Sequence, residues 1–379
     1  MTAIPTGVPQ EMDRARVPEY RPGGELTVGV EEELMLVDSA GEMLGAAAGG
    51  LVASLSAQPL DGGVVTGEVY VDQVELNTPV CASADEVWRS LRLLRGCVTA
   101  GGARPLAAGV HPSAALGGAV LASSPRYDRI LDEYAGLLRT PTAALQVHVA
   151  LPDPETAMLA YRALRHQVPL LRALAAGSPY WHGVDSGLAS SRSAILRSYP
   201  RTTVPPLLRT WEEYVERTEA LLDAAEAPDH TYVWWDVRPR PLLGTIEVRV
   251  MDAVPSLAAV AGLTALVQGI ARRAVEAPDR VDLSDEVLAV NDSRACRHGL
   301  ETRVVDVDLT MRPLREVAVR VLAEARVALA GDGLDGPLDA VESMLVGPPE
   351  PERQRALARE GGLPALLTDL AARTADLDG

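Results

Sequence analysis

Three consecutive glutamates in the segment TVGVEEELMLVD, residues 27–38, constrain the fold more than any other feature of the sequence. Residues two apart share one face of a β-strand, so Glu31 and Glu33 fall together and Glu32 falls on the opposite face. The face of Glu32 is otherwise apolar and carries Val28, Val30, Leu34 and Leu36. Because a buried unpaired carboxylate is costly, the pattern predicts a cation beside Glu31 and Glu33. A solvent-facing edge strand is the alternative.

Length and charge narrow the class of protein. A chain of 379 residues can bury a large core, and a formal net charge of −17 argues against nucleic acid or an anionic membrane as a partner. The cysteines Cys81, Cys97 and Cys296 have no C-x-x-C spacing, so neither a zinc site nor a disulfide framework is predicted. We therefore expect a cytoplasmic protein that acts on small molecules. The apolar stretch 257–271 is expected to be a buried helix.

The order of strand and helix patterns predicts an α+β fold. Residues 1–24 show no apolar period and are expected to form a mobile tail, which leaves a single domain over residues 25–379. Strand patterns in the front and middle are interleaved with helical ones, and helices make up the C-terminal third, which favours a largely antiparallel sheet. The irregular segment 178–206 is too long for a simple connection and is predicted to lie over a site.

Two later strands repeat the pattern of the first. Gln146 and His148 alternate with apolar residues in one, and Glu247 and Arg249 do so in the other. Clustered carboxylates with few histidines favour Mg²⁺ or Mn²⁺, and arginines bind phosphate oxygens bidentately. Such a sheet face is typical of phosphoryl transfer from a nucleotide, although a cross-strand salt bridge between Glu247 and Arg249 is the alternative. Because no Walker motif is present, ATP is expected to bind through the metal ions.

Six segments occur in the order GVEEELMLVD, VELNTPV, VHVAL, SPYWHGVDSGLASSR, WWDVRPRPLLGTIEVRVMD and SRACRHGLE. They resemble the signature segments of the glutamate–cysteine ligase type 2 family, also called carboxylate–amine ligases, over about residues 26–375. The resemblance implies a glutamine synthetase-like fold, in which a curved, mostly antiparallel sheet forms a funnel with helices outside. It also implies ATP-dependent phosphorylation of the γ-carboxylate of glutamate, followed by displacement of the phosphate by an amine or amino acid.

The resemblance also implies roles for individual residues. The implied metal ligands are Glu31, Glu33, Glu75, His148 and Glu247. Arg249 is expected to contact the transferred phosphate, and Glu68 stands where the family has an aspartate, so both are predicted to be catalytic. The predicted nucleotide or phosphate contacts are Arg192, Arg238, Arg294 and Arg297. An internal ion pair is the alternative for Arg238, and Glu32 is interpreted as structural.

The sequence departs from the family pattern at Gln146, Ala150 and Leu242. Since the implied metal positions are kept, we expect ATP chemistry to be retained with an altered acceptor pocket. The sequence does not identify the acceptor amine, and a homodimer is one assembly to be considered. The alternatives to a ligase are a regulatory protein that binds nucleotide and a phosphotransferase that acts on a small molecule.

Overall fold

A computed structural model describes residues 16–57, 59–134, 140–278 and 281–378. The strands in chain order are β1 (Val28–Val37), β2 (Val64–Gly67), β3 (Gln73–Asn77), β4 (Arg104–Leu106), β5 (Ala144–Ala150), β6 (Tyr180–Trp181), β7 (Val184–Asp185), β8 (Val237–Arg240), β9 (Thr245–Asp252), β10 (Arg303–Val305) and β11 (Met311–Pro313). The α-helices are α1 (Gly49–Ser56), α2 (Ala84–Ala100), α3 (Pro125–Tyr134), α4 (Pro154–His166), α5 (Val168–Ala175), α6 (Ser191–Leu196), α7 (Trp211–Ala224), α8 (Leu257–Glu276), α9 (Asp285–His298), α10 (Leu314–Ala330), α11 (Leu338–Val346) and α12 (Glu350–Ala375).

Among the described residues, seven strands form the main sheet in the order β2-β3-β1-β5-β9-β8, and β4 pairs with the end of β1. Neighbouring strands of this sheet pair antiparallel throughout. Two hairpins, β6–β7 and β10–β11, stand apart from it. Helices α2, α4, α5, α8 and α12 pack against the strands. The predicted α+β architecture with a mostly antiparallel sheet is confirmed.

The central strand β1 divides its side chains as the alternation predicts. Val28, Val30, Leu34 and Leu36 are at most 2% exposed, whereas Glu31 and Glu33 are half-buried on the other face. Since β1 is paired with β3 on one side and β5 on the other, the edge-strand alternative is wrong.

Glu32 lies in the core, where an ion pair with Arg95 of α2 neutralises its charge. Arg95 donates from Nε to Oε2 of Glu32 at 2.9 Å, and both side chains are fully buried. Other N–H groups of the same guanidinium donate to the backbone carbonyls of Val254, Pro255 and Thr374. The pair of Glu32 and Arg95 therefore has a structural role. It joins β1 to α2, to the residues directly before α8 and to the last turn of α12.

The apolar stretch after Pro255 forms the buried helix α8, as predicted. The Ser256 side chain caps it by accepting from the backbone N–H of Ala259, and α8 packs between α2, α4, α10 and α11. Gln268 within it donates to the backbone carbonyls of Leu26 and Ala82. In the part of the chain that the structure describes, no helix is long and apolar enough to cross a membrane.

Residues 16–24 correct the predicted boundary of the N-terminal tail. The hydroxyl of Tyr20 donates to the carbonyls of Leu151 and Gly244, each at 2.9 Å. These contacts are long-range in sequence, so no local apolar period reveals them. The segment 16–24 is part of the folded chain, and the remainder of the predicted tail, residues 1–15, lies outside the described residues.

The helical segment that follows β5 is divided at Gln167 into α4 and α5, because Pro169 in the first turn of α5 lacks an N–H to continue the helix of α4. One further expectation about the elements is corrected. The C-terminal third, expected to be wholly helical, contains the hairpin β10–β11.

Candidate active site

The register of the sheet assembles two rows of polar side chains on the face opposite the core of β1. Glu33 on β1 lies opposite Glu75 on β3. On the other side of β1, His148 of β5 lies opposite both Gly29 of β1 and Glu247 of β9. The structure thus brings the predicted metal ligands from four strands together on one face.

The first group, which we call the carboxylate cluster, consists of Glu33, Glu68 and Glu75. One carboxylate oxygen from each residue lies within 4.8 Å of the others. Glu68 follows directly after β2 and accepts a hydrogen bond of 2.5 Å from the hydroxyl of Tyr127. Glu75 accepts from the amide of Asn77 at 3.0 Å. The three carboxylates are therefore held close together although all are negatively charged when ionised.

Burial and mutual repulsion shift the pKa values of this cluster upwards. Burial, followed by the charge of Glu68, raises the pKa of Glu33 to about 7. Burial and then the charges of the neighbouring glutamates hold the pKa of Glu75 well above its usual range, and burial also raises the pKa of Glu68. The charges of Arg192 and Arg249 oppose the shift of Glu33, and those of Arg126 and Arg249 oppose the shift of Glu68, but they do not cancel it. The ionised cluster therefore carries excess negative charge, which a bound cation relieves.

The carboxylate oxygens of the cluster are suitable ligands for a hard divalent cation. The hydrogen bonds that these carboxylates accept come from neutral groups, among them the backbone N–H of Ala144 at 2.8 Å and the amide of Gln146 at 2.7 Å, both to Glu33. Three converging carboxylates are the ligands that Mg²⁺ and Mn²⁺ prefer, and among the residues that the structure describes no sulfur ligand joins them that would favour zinc.

The second group, the histidine cluster, consists of Glu31, His148 and Glu247, whose ligand atoms also lie within 4.8 Å of one another. Nδ1 of His148 is hydrogen-bonded to the hydroxyl of Thr245 at 3.0 Å. This fixes the ring and leaves Nε2 buried without a hydrogen bond, 3.1 Å from a carboxylate oxygen of Glu31. Burial opposes ionisation of Glu31, but His148 and, to a smaller extent, Arg240 together outweigh it, so the pKa of Glu31 is lowered. An imidazole oriented in this way is suited to bind a metal ion.

Three arginines surround the buried carboxylate of Glu247. Arg238 donates to both of its oxygens, at 2.7 and 3.3 Å, Arg240 donates at 3.0 Å, and Arg249 donates to Oε1. Although burial opposes ionisation, these guanidiniums hold the pKa of Glu247 well below its usual range. Both carboxylate oxygens carry two donors each, so a metal ion bound by Glu247 would have to replace at least one guanidinium.

Gln146 connects the two groups. Its amide N–H₂ donates to Glu33 of the carboxylate cluster, and its amide oxygen accepts from Arg249, which also donates to Glu247. Gln146, one of the three positions at which the sequence departs from the family pattern, therefore lies between the two clusters. The ion pair between Glu247 and Arg249, considered from the sequence as a cross-strand pair, is present but lies within β9. Arg238 also forms an ion pair, and its partner is Glu247.

The remaining predicted arginines differ in their placement. Arg192 is buried, and the charge of Glu33 acts on its guanidinium, so it borders the carboxylate cluster. Arg294 and Arg297 lie on the exposed side of α9, where Arg294 donates to the backbone carbonyl of Arg303. Within the described residues, no hydrogen bond or ion pair joins either of them to the two clusters. The structure therefore does not place Arg294 and Arg297, predicted to contact the nucleotide or phosphate, beside the two clusters.

Sequence reasoning missed two residues of the site, Arg240 and Tyr127. Arg240 stands two residues after Arg238 on β8, so strand alternation could have placed both on one face. Tyr127 lies on α3 and reaches Glu68 across 59 residues of sequence. No local pattern in the sequence indicates that contact.

Comparison with known proteins gives consistent results. The family model described as glutamate–cysteine ligase family 2 (GCS2) matches residues 27–360. A Rubrobacter xylanophilus protein provisionally named glutamate–cysteine ligase 2-3 is 37% identical, over 92% of this chain and 97% of its own length. A Gloeobacter violaceus protein provisionally named glutamate–cysteine ligase 2 is 34% identical, over 91% of this chain and 96% of its own.

The fold also has solved relatives. The crystal structure of glutamate–cysteine ligase from Francisella tularensis in complex with AMP superposes with a TM-score of 0.68 at 14% identity, covering 94% of this chain and 89% of that one. A bifunctional glutathione synthetase from Pasteurella multocida gives 0.66 at 15% identity, covering 93% and 52%. At these identities the likeness establishes the fold alone. The family match over residues 27–360 and the relatives at 37% and 34% identity show that this protein belongs to glutamate–cysteine ligase family 2.

Proposed function

We propose that the protein is an ATP-dependent carboxylate–amine ligase. It joins the γ-carboxylate of glutamate to an amine or amino acid through an acyl phosphate, and it releases ADP and phosphate. The observation that carries the proposal is the pairing of the carboxylate cluster with Arg249 through Gln146 on one sheet face. Acids that bind divalent cations and an arginine that binds phosphate are the two components that phosphoryl transfer requires.

Each group of residues has a separate task in this proposal. Glu33, Glu68 and Glu75 would hold one divalent cation and Glu31, His148 and Glu247 another, and these ions would neutralise the charge of the ATP phosphates. These assignments follow from the donor atoms and from the raised pKa values of the carboxylate cluster. They also account for the presence of Glu31 and Glu33 on a central strand, where their charges would otherwise repel those of the neighbouring acids.

Arg249 is proposed to stabilise the charge that develops on the transferred phosphoryl group. It is positioned by Glu247 and Gln146, so its guanidinium is oriented before any substrate arrives. A γ-carboxylate oxygen of glutamate attacks the γ-phosphorus, and the bond from that phosphorus to ADP breaks. The amine nitrogen then attacks the carbonyl carbon, loses a proton and expels phosphate.

The relatives support the nucleotide part of the proposal. The Francisella tularensis ligase of similar fold was solved with AMP, and the relatives are provisionally named glutamate–cysteine ligases. We further propose that Gln146, Ala150 and Leu242, which depart from the family pattern, change the acceptor pocket. Arg192 and Arg238 are proposed to lie beside the bound nucleotide, and the same role for Arg294 and Arg297 requires a rearrangement of α9.

The test is an ADP-release assay with glutamate and a panel of amino acids and amines, followed by mass spectrometry of the products. We expect ADP release to depend on glutamate, on an amine and on Mg²⁺ or Mn²⁺. Glutamate labelled with ¹⁸O in its γ-carboxylate should transfer one ¹⁸O to the released phosphate, because the acyl C–O bond breaks. ADP release without any amine, with a phosphorylated product, would favour a phosphotransferase, and nucleotide binding without turnover would favour a regulatory protein.

A further inference from the structure

A buried aspartate at the end of β9 gathers the segment 177–192, which we call the crossing loop. Asp252 is 2% exposed. Its Oδ2 accepts from the backbone N–H of Gly177 at 3.1 Å and from the hydroxyl of Ser178 at 2.7 Å, and its Oδ1 accepts from the hydroxyl of Ser190 at 2.9 Å. One carboxylate thus holds both ends of the crossing loop at the point where β9 ends.

Arg192, at the end of the crossing loop, donates hydrogen bonds to the backbone of β9 beyond the residues that pair with β8. The strand β8 pairs with β9 only from Thr245 to Val248, and the N–H of Arg249 donates to the carbonyl of Asp236 directly before β8 at 2.7 Å. Beyond that point the carbonyls of Arg249 and Met251, which point to the same edge, each accept from the Arg192 guanidinium at 3.2 Å. The same guanidinium lies 3.8 Å from a carboxylate oxygen of Asp252.

Gly109 lies against the Asp252 carboxylate on the side away from the crossing loop. A Cβ added at Gly109 would lie closer than 3.0 Å to the Asp252 carboxyl group, so only glycine fits against it. The backbone around Gly109 is fixed, because its carbonyl accepts from the N–H of Ala143 just before β5. Asp252 is therefore confined on one side by Gly109 and bonded on the other by the crossing loop.

We propose that Asp252 is a positioning residue for the ligase reaction. Through Ser178, Ser190 and Arg192 it fastens the crossing loop to the end of β9. It thereby fixes the carbonyl side of the Arg249 backbone, whose N–H is held by the carbonyl of Asp236. The inference rests on the proposed function, because it concerns the arginine assigned there to the transferred phosphoryl group. Neither Asp252 nor the two serines need touch a substrate for this role.

The test uses the full-length chain and compares Asp252→Asn, Ser178→Ala and Ser190→Ala with the wild type. Asn keeps the shape of the side chain but cannot accept at both positions. We expect amide hydrogen exchange in the crossing loop and in residues 249–252 to rise about tenfold or more in Asp252→Asn, and less in the serine variants. We expect kcat to fall about 10- to 100-fold, with KM for ATP changed less than about threefold, because a small displacement of Arg249 mainly affects the transition state.

Ser186→Ala is the matched control within the same loop. Its hydroxyl donates to the carbonyl of Pro179 and accepts from the N–H of Leu188 and the hydroxyl of Ser191, but it has no bond to Asp252. We expect Ser186→Ala to leave kcat and the exchange of residues 249–252 near the wild-type values. Equal effects of Ser186→Ala and Ser178→Ala would overturn the proposal, since general loosening of the loop would then explain both.

Three other outcomes also test the positioning role of Asp252. Normal exchange of residues 249–252 in Asp252→Asn would overturn the proposal, whether or not kcat falls, because the backbone of Arg249 would then be fixed by other contacts. Raised exchange with normal kcat would overturn the link to catalysis. If the wild type turns over no glutamate and amine while exchange rises as expected, the proposed function fails and the anchoring by Asp252 stands.

Discussion

Arg249 shows how the contacts of one side chain define its possible role. At the scale of the residue, its guanidinium donates to Glu247 and to Gln146, and burial is outweighed by Glu247 and Glu31, so that the pKa of Arg249 is raised. It stays charged at every pH of interest. Its planar donors are directed by two acceptors, an arrangement that a single ammonium group cannot reproduce.

We predict that Arg249→Lys lowers kcat by about 100-fold, or about 3 kcal/mol of transition-state stabilisation, with folding and nucleotide affinity nearly unchanged. Steady-state kinetics and a thermal melt provide the measurement. Arg312→Lys, which alters an exposed ion pair with Asp308, is the matched control and should behave like the wild type. Normal turnover of Arg249→Lys, or its loss through unfolding, would show that Arg249 is only an ion-pair partner.

We also predict that Mn²⁺ binding releases protons. Because the pKa of Glu33 is raised to about 7 and those of Glu68 and Glu75 are also raised, the cluster is partly protonated near neutral pH and must lose protons to bind a cation. The apparent affinity should therefore fall as the pH is lowered from about 8 to about 6. Titration calorimetry in two buffers of different ionisation enthalpy measures the released protons, and identical heats in both would contradict this.

At the scale of the element, the three adjacent acids of β1 are accommodated in two different ways. Glu31 and Glu33 remain on the polar face, where the sheet register brings other acids and His148 towards them. Glu32 enters the core only because Arg95 of α2 reaches it with two hydrogen bonds. The alternation is local, but the neutralising partner comes from 63 residues away.

Arg95→Met is expected to cost about 3–5 kcal/mol of unfolding free energy, because it leaves Glu32 as an unpaired buried charge. Adding Glu32→Gln should recover part of that loss, since the remaining side chain is uncharged, while the carbonyls of Val254, Pro255 and Thr374 stay without their donor. Urea denaturation of the three proteins gives the free energies. A cost below about 1 kcal/mol for Arg95→Met would disprove this account of β1.

At the scale of the whole molecule, buried groups with opposite pKa shifts set how stability depends on pH. Burial, followed by the charge of Arg240, lowers the pKa of His230 to about 4. The unfolded chain then binds the additional proton, so the contribution of His230 is present above about pH 6.5 and is lost as the pH falls towards 4. Glu33 acts in the opposite sense, because its raised pKa stabilises the fold below about pH 4.5 and this contribution is lost as the pH rises through 7.

Comparison of the wild type with His230→Asn isolates the contribution of His230. The difference between their unfolding free energies is expected to change by about 2–3 kcal/mol between pH 4 and 6.5 and to be constant above about pH 7. Denaturant unfolding at a series of pH values in the presence of a chelator measures it. Parallel stability curves over the whole range would refute the prediction.

By itself, the sequence determined the faces of the strands, the burial of α8 and the family. Strand alternation is a local property, so the spacing of Glu31 and Glu33, of Gln146 and His148, and of Glu247 and Arg249 carries it directly. The antiparallel architecture follows from the order of such segments. The segment matches over most of the chain then indicated the ligase family, which the comparisons establish.

Only the tertiary structure decided which partners those side chains have. Tyr20, Tyr127 and Asp252 make contacts between residues that are 59 to 224 apart in the sequence, and no periodicity encodes such pairs. Three of the four hydrogen bonds that Glu247 accepts come from Arg238 and Arg240 and likewise arise from the pairing of β8 with β9. The charge state of a buried group depends on all its neighbours in space, because desolvation and nearby charges act over distance and not along the chain.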